Sequence, residues 1–289
     1  MTQLGPFIDA HVHGFLRPAD GALFKHTIAE LTGRGLEKIV ITALPLHNFS
    51  YELKISLAPD HIRPVISAGN SDETALLNAW TREYGFEETI APFLDVRFVT
   101  EHPGSVLGAP GVSGWAGIKG AYIPGADRVL AIQGIPQALG ISPDRYRRIQ
   151  EDLFSCAQER NLPLLYHVNL AEHFDWLCGM LTACPRLRIC IPHLGYSLRR
   201  ITELLERFQN TFTDPSYLIA VLRKNNPRYC SFIQTYHTRI LSGSDAVLVS
   251  NPIEEILSYA RYFSELAVGE EMKRRILREN ARAFLSLPG

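Results

Sequence analysis

Residues Phe7 to Phe15 read FIDAHVHGF, an apolar run that ends in two histidines separated by a single residue. In an extended strand, residues i and i+2 point to the same side. His11 and His13 therefore project together, and two neutral imidazoles on one side can chelate a divalent transition metal. Asp9 stands two residues before His11. It reads either as a partner for the backbone or for a ligand, or as a carboxylate that orients a metal-bound imidazole. His-x-His alone is a weak signal, so the reading depends on whether the rest of the chain repeats the pattern.

It does. Further apolar runs follow in EKIVITALP, IRPVISAG, IAPFLDVRFV, WAGIKGAYI, LPLLYHV, LRICIPHLG, NTFTDPS and RILSGSDA. Most are too short and too uniformly apolar for one-sided strands, and they read as strands buried on both faces, as in parallel sheets. Helical stripes alternate with the later ones. Ser142 caps a helix with Pro143 at its first position and Tyr146, Ile149, Leu153 and Ala157 on one face. Phe174, Leu177 and Leu181 form the next stripe, and Leu198, Ile201, Leu205 and Phe208 a third. Asn251-Pro252 opens a helix containing Ile253, Ile256, Leu257 and Ala260, and EEMKRRILRENARAFLSL reads as a closing helix. About eight strand–helix units in roughly 250 residues or more is the size of a (β/α)8 barrel. A doubly wound open sheet is the structural rival, but no Gly-x-Gly-x-x-Gly follows a strand. The expectation is an α/β fold, a distorted (β/α)8 TIM barrel, as a single domain over 1–289. One strand-like run exceeds the eight units needed, which places an insertion at 49–69. Glu101 to Gly114, rich in Gly and Pro, reads as a surface loop.

The chain has 289 residues, 46% apolar and 20% charged, with a formal net charge of -1. That balance gives no general attraction to nucleic acid or anionic membrane. The five cysteines are odd in number and form no Cys-x-x-Cys pair, which fits reduced thiols in a cytoplasmic protein. The first residues lack the basic region and long apolar run of a signal peptide, and no apolar stretch approaches roughly 20 residues, so neither a secretory leader nor a membrane span is expected. The expected partner is a small-molecule substrate, and a homo-oligomer is compatible with the sequence.

Four separate apolar runs deliver chemistry at their C-terminal ends. The first gives His11 and His13, LPLLYHV gives His167, LRICIPHLG gives His193 before a turn-permitting glycine, and RILSGSDA gives Asp245. In a barrel those ends form one mouth. Singly, His167 and His193 could be satisfied core histidines and Asp245 a helix cap; together the set points to a metal site. His47, Arg97, His102 and His173 could also line the mouth, Arg97 and His102 as anion binders. His26, His61 and His237 read as exposed. Trp80, Trp115 and Trp176 read as core.

IDAHVHGF, GIKG, YHVN, PHLG and GSDA, in that order, resemble the amidohydrolase superfamily, closest to its amidohydrolase-2 branch, which includes aminocarboxymuconate-semialdehyde decarboxylase. The resemblance spans almost the whole chain. It implies a metal, usually one zinc, held by His11, His13, His167 and Asp245, with Asp245 also catalytic and His193 stabilising or orienting the reacting group. Lys119, in GIKG, would pair with a substrate carboxylate; carbamylated, it would bridge two metals. The implied activity is that of a metal-dependent hydrolase or lyase acting on a small, carboxylate-bearing substrate. A decarboxylase of an aromatic or unsaturated acid is the alternative on the same site, and a catalytically silent, metal-bound binding protein is the alternative of another class. A TatD-like phosphodiesterase would usually carry a glutamate where Lys119 stands. GSDAVLVSNP delays the proline that relatives carry soon after Gly-Ser-Asp, so the pocket rim is expected to differ.

Overall fold

The computed structural model describes residues 4–45, 63, 72–107, 114–128, 132–224 and 226–287. The expected insertion at 49–69 lies outside them, Arg63 excepted, as do the run IRPVISAG, His47 and His61. Eight strands run parallel: β1 (Phe7–His13), β2 (Leu36–Ala43), β3 (Ile90–Asp95), β4 (Gly117–Tyr122), β5 (Leu164–Val168), β6 (Ile189–Ile191), β7 (Thr211–Thr213) and β8 (Ala246–Val247). Their order in the sheet is β7-β6-β5-β4-β3-β2-β1-β8. The segment leading into β8 joins the two edges. Thr213 N–H donates to Arg239 O at 2.9 Å and Leu241 N–H to Thr213 O at 2.8 Å, while Ala10 N–H donates to Ser242 O at 2.8 Å. The sheet thereby curls into a distorted (β/α)8 barrel.

Every residue of β1, β4 and β5 is buried. That follows from the uniformly apolar runs, because helices cover one face of a parallel sheet and the barrel interior fills the other. Ile8, Val40, Phe93, Leu165, Cys190, Phe212 and Leu241 pack together with Ala281, Phe284 and Leu285. The closing segment folds as helix Glu270–Arg274, a π-turn at Arg275–Glu279 and helix Asn280–Leu285. Phe284 O accepts a hydrogen bond from Arg188, which precedes β6. The final helix therefore closes the N-terminal end of the barrel and leaves the C-terminal end for chemistry.

Local signals behave as their physics requires. Ser142 caps helix Pro143–Glu159 by accepting from Arg145 N–H. Phe174, Leu177 and Leu181 are buried in helix Leu170–Ala183. Phe208, expected on a helical stripe, lies one residue past helix Leu198–Arg207 and is extended. Part of the expected loop at 101–114 is instead a short helix, Pro103–Leu107, with Val106 and Leu107 buried; two apolar side chains there outweigh the Gly and Pro around them. Among the described residues, no helix is long and apolar enough to cross a membrane.

Candidate metal centre

The strand ends bring three of the expected ligands together. His11 Nε2 and His13 Nε2 each lie 3.1 Å from Asp245 Oδ1, and one ligand atom from each of the three residues lies within 4.8 Å of the others. Asp245 is not a helix cap. Its backbone is left-handed, with φ 64, and its N–H donates to His11 O at 2.8 Å. The expected strand RILSGSDA is irregular up to this residue, and regular pairing with β1 begins only at Ala246.

His167 and His193 form the other side of the site. Their ring centroids are 5.4 Å apart, and His193 Nε2 is 3.9 Å from Asp245 Oδ2. His167 stands outside the close group of three, with its Nε2 buried and without a hydrogen-bond partner. His193 lies two residues past β6 in an uncommon backbone: His193, Leu194, Gly195 and Tyr196 all have positive φ, between 51 and 59. L-residues pay for this conformation, and consecutive ones are rare. The turn carries the Tyr196 ring to 5.4 Å from that of His167 and 5.3 Å from that of His193. Gly195 is required, since a Cβ there would lie 2.3 Å from Leu170 Cδ1. Gly195→Ala is expected to destabilise the protein by roughly 2–5 kcal/mol, combining the left-handed cost with overpacking. Denaturant unfolding with an unchanged m-value checks this.

The donor set fits a divalent cation. Burial pushes the His13 imidazole down to about 3, over the opposing pull of Asp245. Burial likewise lowers His167 and His193. Neutral imidazoles offer lone pairs, as metal ligation requires. Burial raises the Asp245 carboxyl, but His11, His13 and His193 outweigh it and hold the group well below the usual carboxylate range. His13 Nδ1 is 2.9 Å from Thr42 Oγ1 and His11 Nδ1 is 3.2 Å from Asp214 Oδ2, so both Nε2 atoms turn inward. The buried, unpartnered His167 Nε2 is a further donor without an occupation.

Two cations stand beside these acceptors. Lys119 is buried on β4, with Nζ 3.1 Å from His11 Nε2; burial and then Arg97 push it down to about 8, against Asp245 and other carboxylates. Arg97 donates to Asp95 through Nε and Nη2, the latter at 2.6 Å. Of the other sequence candidates, His102 is exposed beside Asp152. His173 packs against Tyr122 with centroids 5.1 Å apart. His26 is exposed and His237 half-buried. Trp80 and Trp115 are buried, whereas Trp176 is half-buried and stacks on Tyr122 at 3.6 Å.

Asp9 takes the backbone reading. Its Oδ1 accepts from His11 N–H at 3.0 Å and Ser244 N–H at 3.1 Å, tying β1 to the segment before β8, and burial raises its carboxyl to about 7. The carboxylate that meets His11 Nδ1 is Asp214, just past β7. Sequence reasoning missed it, together with Ser216, Thr42 and Asp95. Asp214 had a signal: it closes the apolar part of NTFTDPS, the run that forms β7, so its carboxylate obeys the same strand-end rule as His167 and Asp245.

Comparisons with known proteins agree with this architecture. A structure of a TIM-barrel protein of unassigned function from Bordetella bronchiseptica aligns with a TM-score of 0.61 at 14% identity, covering 97% of this chain and 98% of that one. A dihydroxybenzoic acid decarboxylase from Polaromonas, solved with manganese and the inhibitor 2-nitroresorcinol, aligns at 0.56 and 14% identity, covering 98% of each chain. A candidate 2-pyrone-4,6-dicarboxylic acid hydrolase from Pseudomonas putida aligns at 0.57 and 16% identity, covering 99% of this chain and 98% of that one. At such identities the likeness shows the fold. No curated protein matches the chain. The amidohydrolase family model matches residues 107–287, which include Lys119, His167, His193 and Asp245. The chain belongs to the amidohydrolase family and is a metal-dependent enzyme.

Proposed function

We propose that the chain is a metal-dependent hydrolase or lyase acting on a small, carboxylate-bearing molecule at the C-terminal mouth of the barrel. One observation carries the reading: the inward acceptors His11 Nε2, His13 Nε2 and Asp245 Oδ1 converge directly beside the buried cation Lys119. The group would hold one ion, zinc in this reading, with His167 as the fourth protein ligand. A divalent ion at such a site supplies Lewis acidity, polarising a carbonyl or lowering the pKa of water towards about 7.

The chain's own residues then have distinct work. Lys119, unmodified, pairs with the substrate carboxylate as a point charge. Arg97 adds positive potential at the same place, while Asp95 fixes its head group. Asp245 accepts the proton of the attacking water, because its carboxyl stays ionised at neutral pH. His193 exchanges a hydrogen bond or proton with the attacked group through Nε2, which faces Asp245. The Tyr196 ring packs against both His193 and His167 beside it.

Decarboxylation is the second reading, favoured by the cations. A carboxylate held by Lys119 lies next to two groups that can relay a proton from solvent, Asp245 and His193. Protonation of the adjacent carbon by that relay would let the carboxylate leave as CO2. Structural neighbours named as dihydroxybenzoate decarboxylases make this an appropriate substrate class to assay.

Elemental analysis of protein never exposed to chelator tests the metal. The expected result is about one equivalent of zinc or a similar divalent ion. Failure to bind any divalent ion after reconstitution at micromolar levels would sink the reading. A carbamate on Lys119 bridging two ions would correct the stoichiometry. A panel of lactones, aromatic carboxylic acids and phosphodiesters, assayed with loaded protein, separates hydrolysis, decarboxylation and phosphodiester cleavage.

A further inference from the structure

We infer that the protein holds a second small-molecule site, separate from the metal centre, that takes a free α-amino acid with an apolar side chain. A cavity of about 420 Å³ lies between helix Pro227–Tyr236, helix Ile253–Glu265 and the segment 266–268 that follows it. Clefts that hold small ligands span roughly 300–1,000 Å³. None of the metal-centre residues lines this one. Ile233, Leu266 and Val268 give it an apolar wall suited to a hydrocarbon side chain.

The same lining carries one charge of each sign. Arg223 and Glu265 are both exposed, and among the described residues neither side chain has an ion-pair or hydrogen-bond partner. Elsewhere on the surface Arg200, Arg261 and Arg274 are each paired with a glutamate. Arg223 and Glu265 are long side chains, free to converge on the two charges of one α-carbon. Glu265 also ends its helix. Leu266 leaves that helix with ψ 138, and the last turn holds no Lys or Arg. Val268 N–H returns only to Leu266 O, at 2.8 Å. Uncapped carbonyls at a helix C-terminus carry partial negative charge, so Glu265 and this helix end together favour an ammonium.

Tyr262 is the independent sign of a ligand. It lines the same cavity and is only 8% exposed. Its hydroxyl is buried without a hydrogen-bond partner, whereas buried phenols normally find one. A carboxylate entering the cavity would accept from this hydroxyl and from Arg223 together. Its ammonium would then meet Glu265, and its side chain would cover Ile233, Leu266 and Val268. Because the Tyr262 hydroxyl has no partner within the protein, Tyr262→Phe breaks no internal hydrogen bond and isolates the contribution of this donor to binding.

The test is a ligand-observed NMR titration of the whole protein with L-leucine and L-phenylalanine. Two analogues of leucine that keep one charge each, 4-methylpentanoate and 3-methylbutylamine, serve as controls. An amino acid is expected to bind with a Kd of about 0.1–1 mM, and the single-charge analogues roughly 10-fold more weakly, the usual effect of losing a hydrogen bond to a charged group. Arg223→Gln and Glu265→Gln should each weaken binding by a similar factor, Tyr262→Phe by a few-fold, and Val268→Trp should abolish it by filling the cavity. Both charges sit on exposed side chains without partners, so these variants should fold. Wild-type protein that binds neither amino acid at about 10 mM would overturn the inference, and that measurement needs no variant. Analogues that bind as tightly as leucine would also overturn it, as would binding unmoved by Val268→Trp. Binding lost in His13→Ala would place the amino acid at the metal centre instead and defeat the second site.

Discussion

Asp245→Asn protein, saturated with zinc and fully folded, is expected to turn over its substrate roughly 10²–10⁴-fold more slowly than wild type, the usual contribution of a positioned acid–base group. The substitution preserves size and one oxygen but removes the proton acceptor. It should also weaken zinc binding, because a neutral amide replaces a carboxylate 3.1 Å from both His11 Nε2 and His13 Nε2. Folding should survive for a local reason. Asp245 has φ 64, and Asn tolerates the left-handed region as readily as Asp. Its backbone bond to His11 O is untouched. The measurement is a single-turnover rate under saturating zinc, with circular dichroism as the folding control. A folded, zinc-saturated variant with the wild-type rate would leave Asp245 as a ligand only.

His13→Ala should lose zinc almost entirely, by more than the roughly 10–100-fold that outer contacts contribute. It deletes one leg of the close group of three and leaves Thr42 Oγ1 without its partner at 2.9 Å. His193→Asn should behave differently. Asn suits the positive φ of 57 at this position, so the turn survives, and the lost ring stands 3.9 Å from Asp245 rather than in the close group. The expected outcome is zinc content close to wild type with turnover reduced by at least 10²-fold. Equilibrium dialysis against zinc and steady-state assays on the two variants give the comparison. Equal zinc loss in both would place His193 among the ligands and favour a second ion.

Much of this arrangement was legible from residue order. Strand periodicity is local, so the apolar runs located β1 to β7, and the barrel rule placed their ends on one mouth. That was enough to gather His11, His13, His167 and His193 at one end of one barrel, with Asp245 from the run before β8; Lys119 joined them only through the family resemblance. The family likeness is carried by the same strand-end motifs, and the family match bears it out.

Other features depended on contacts that no local pattern encodes. Asp9 and Asp214 are both buried carboxylates near His11, and spacing left Asp9 open between a backbone partner and a carboxylate that orients the ring. The fold decided between them. Asp9 is committed to two backbone N–H groups, whereas Asp214, 203 residues from His11 in the chain, reaches Nδ1 because only the segment leading into β8 separates β7 from β1 in the closed barrel. The left-handed turn at His193–Tyr196 is likewise decided by its surroundings, since only Gly195 in it favours positive φ by itself. Asp214 accepts from His193 N–H and Leu194 N–H and so holds those two residues there. The sequence by itself determined that His11, His13, His167 and His193 stand at strand ends on one mouth, because strand direction and alternation are properties of the local chain. Only the tertiary structure decided which nitrogen of His11, His13 and His193 faces inward, because each ring is turned by the partner at its Nδ1 (Asp214, Thr42 and the Ser216 carbonyl), and that partner comes from another part of the chain.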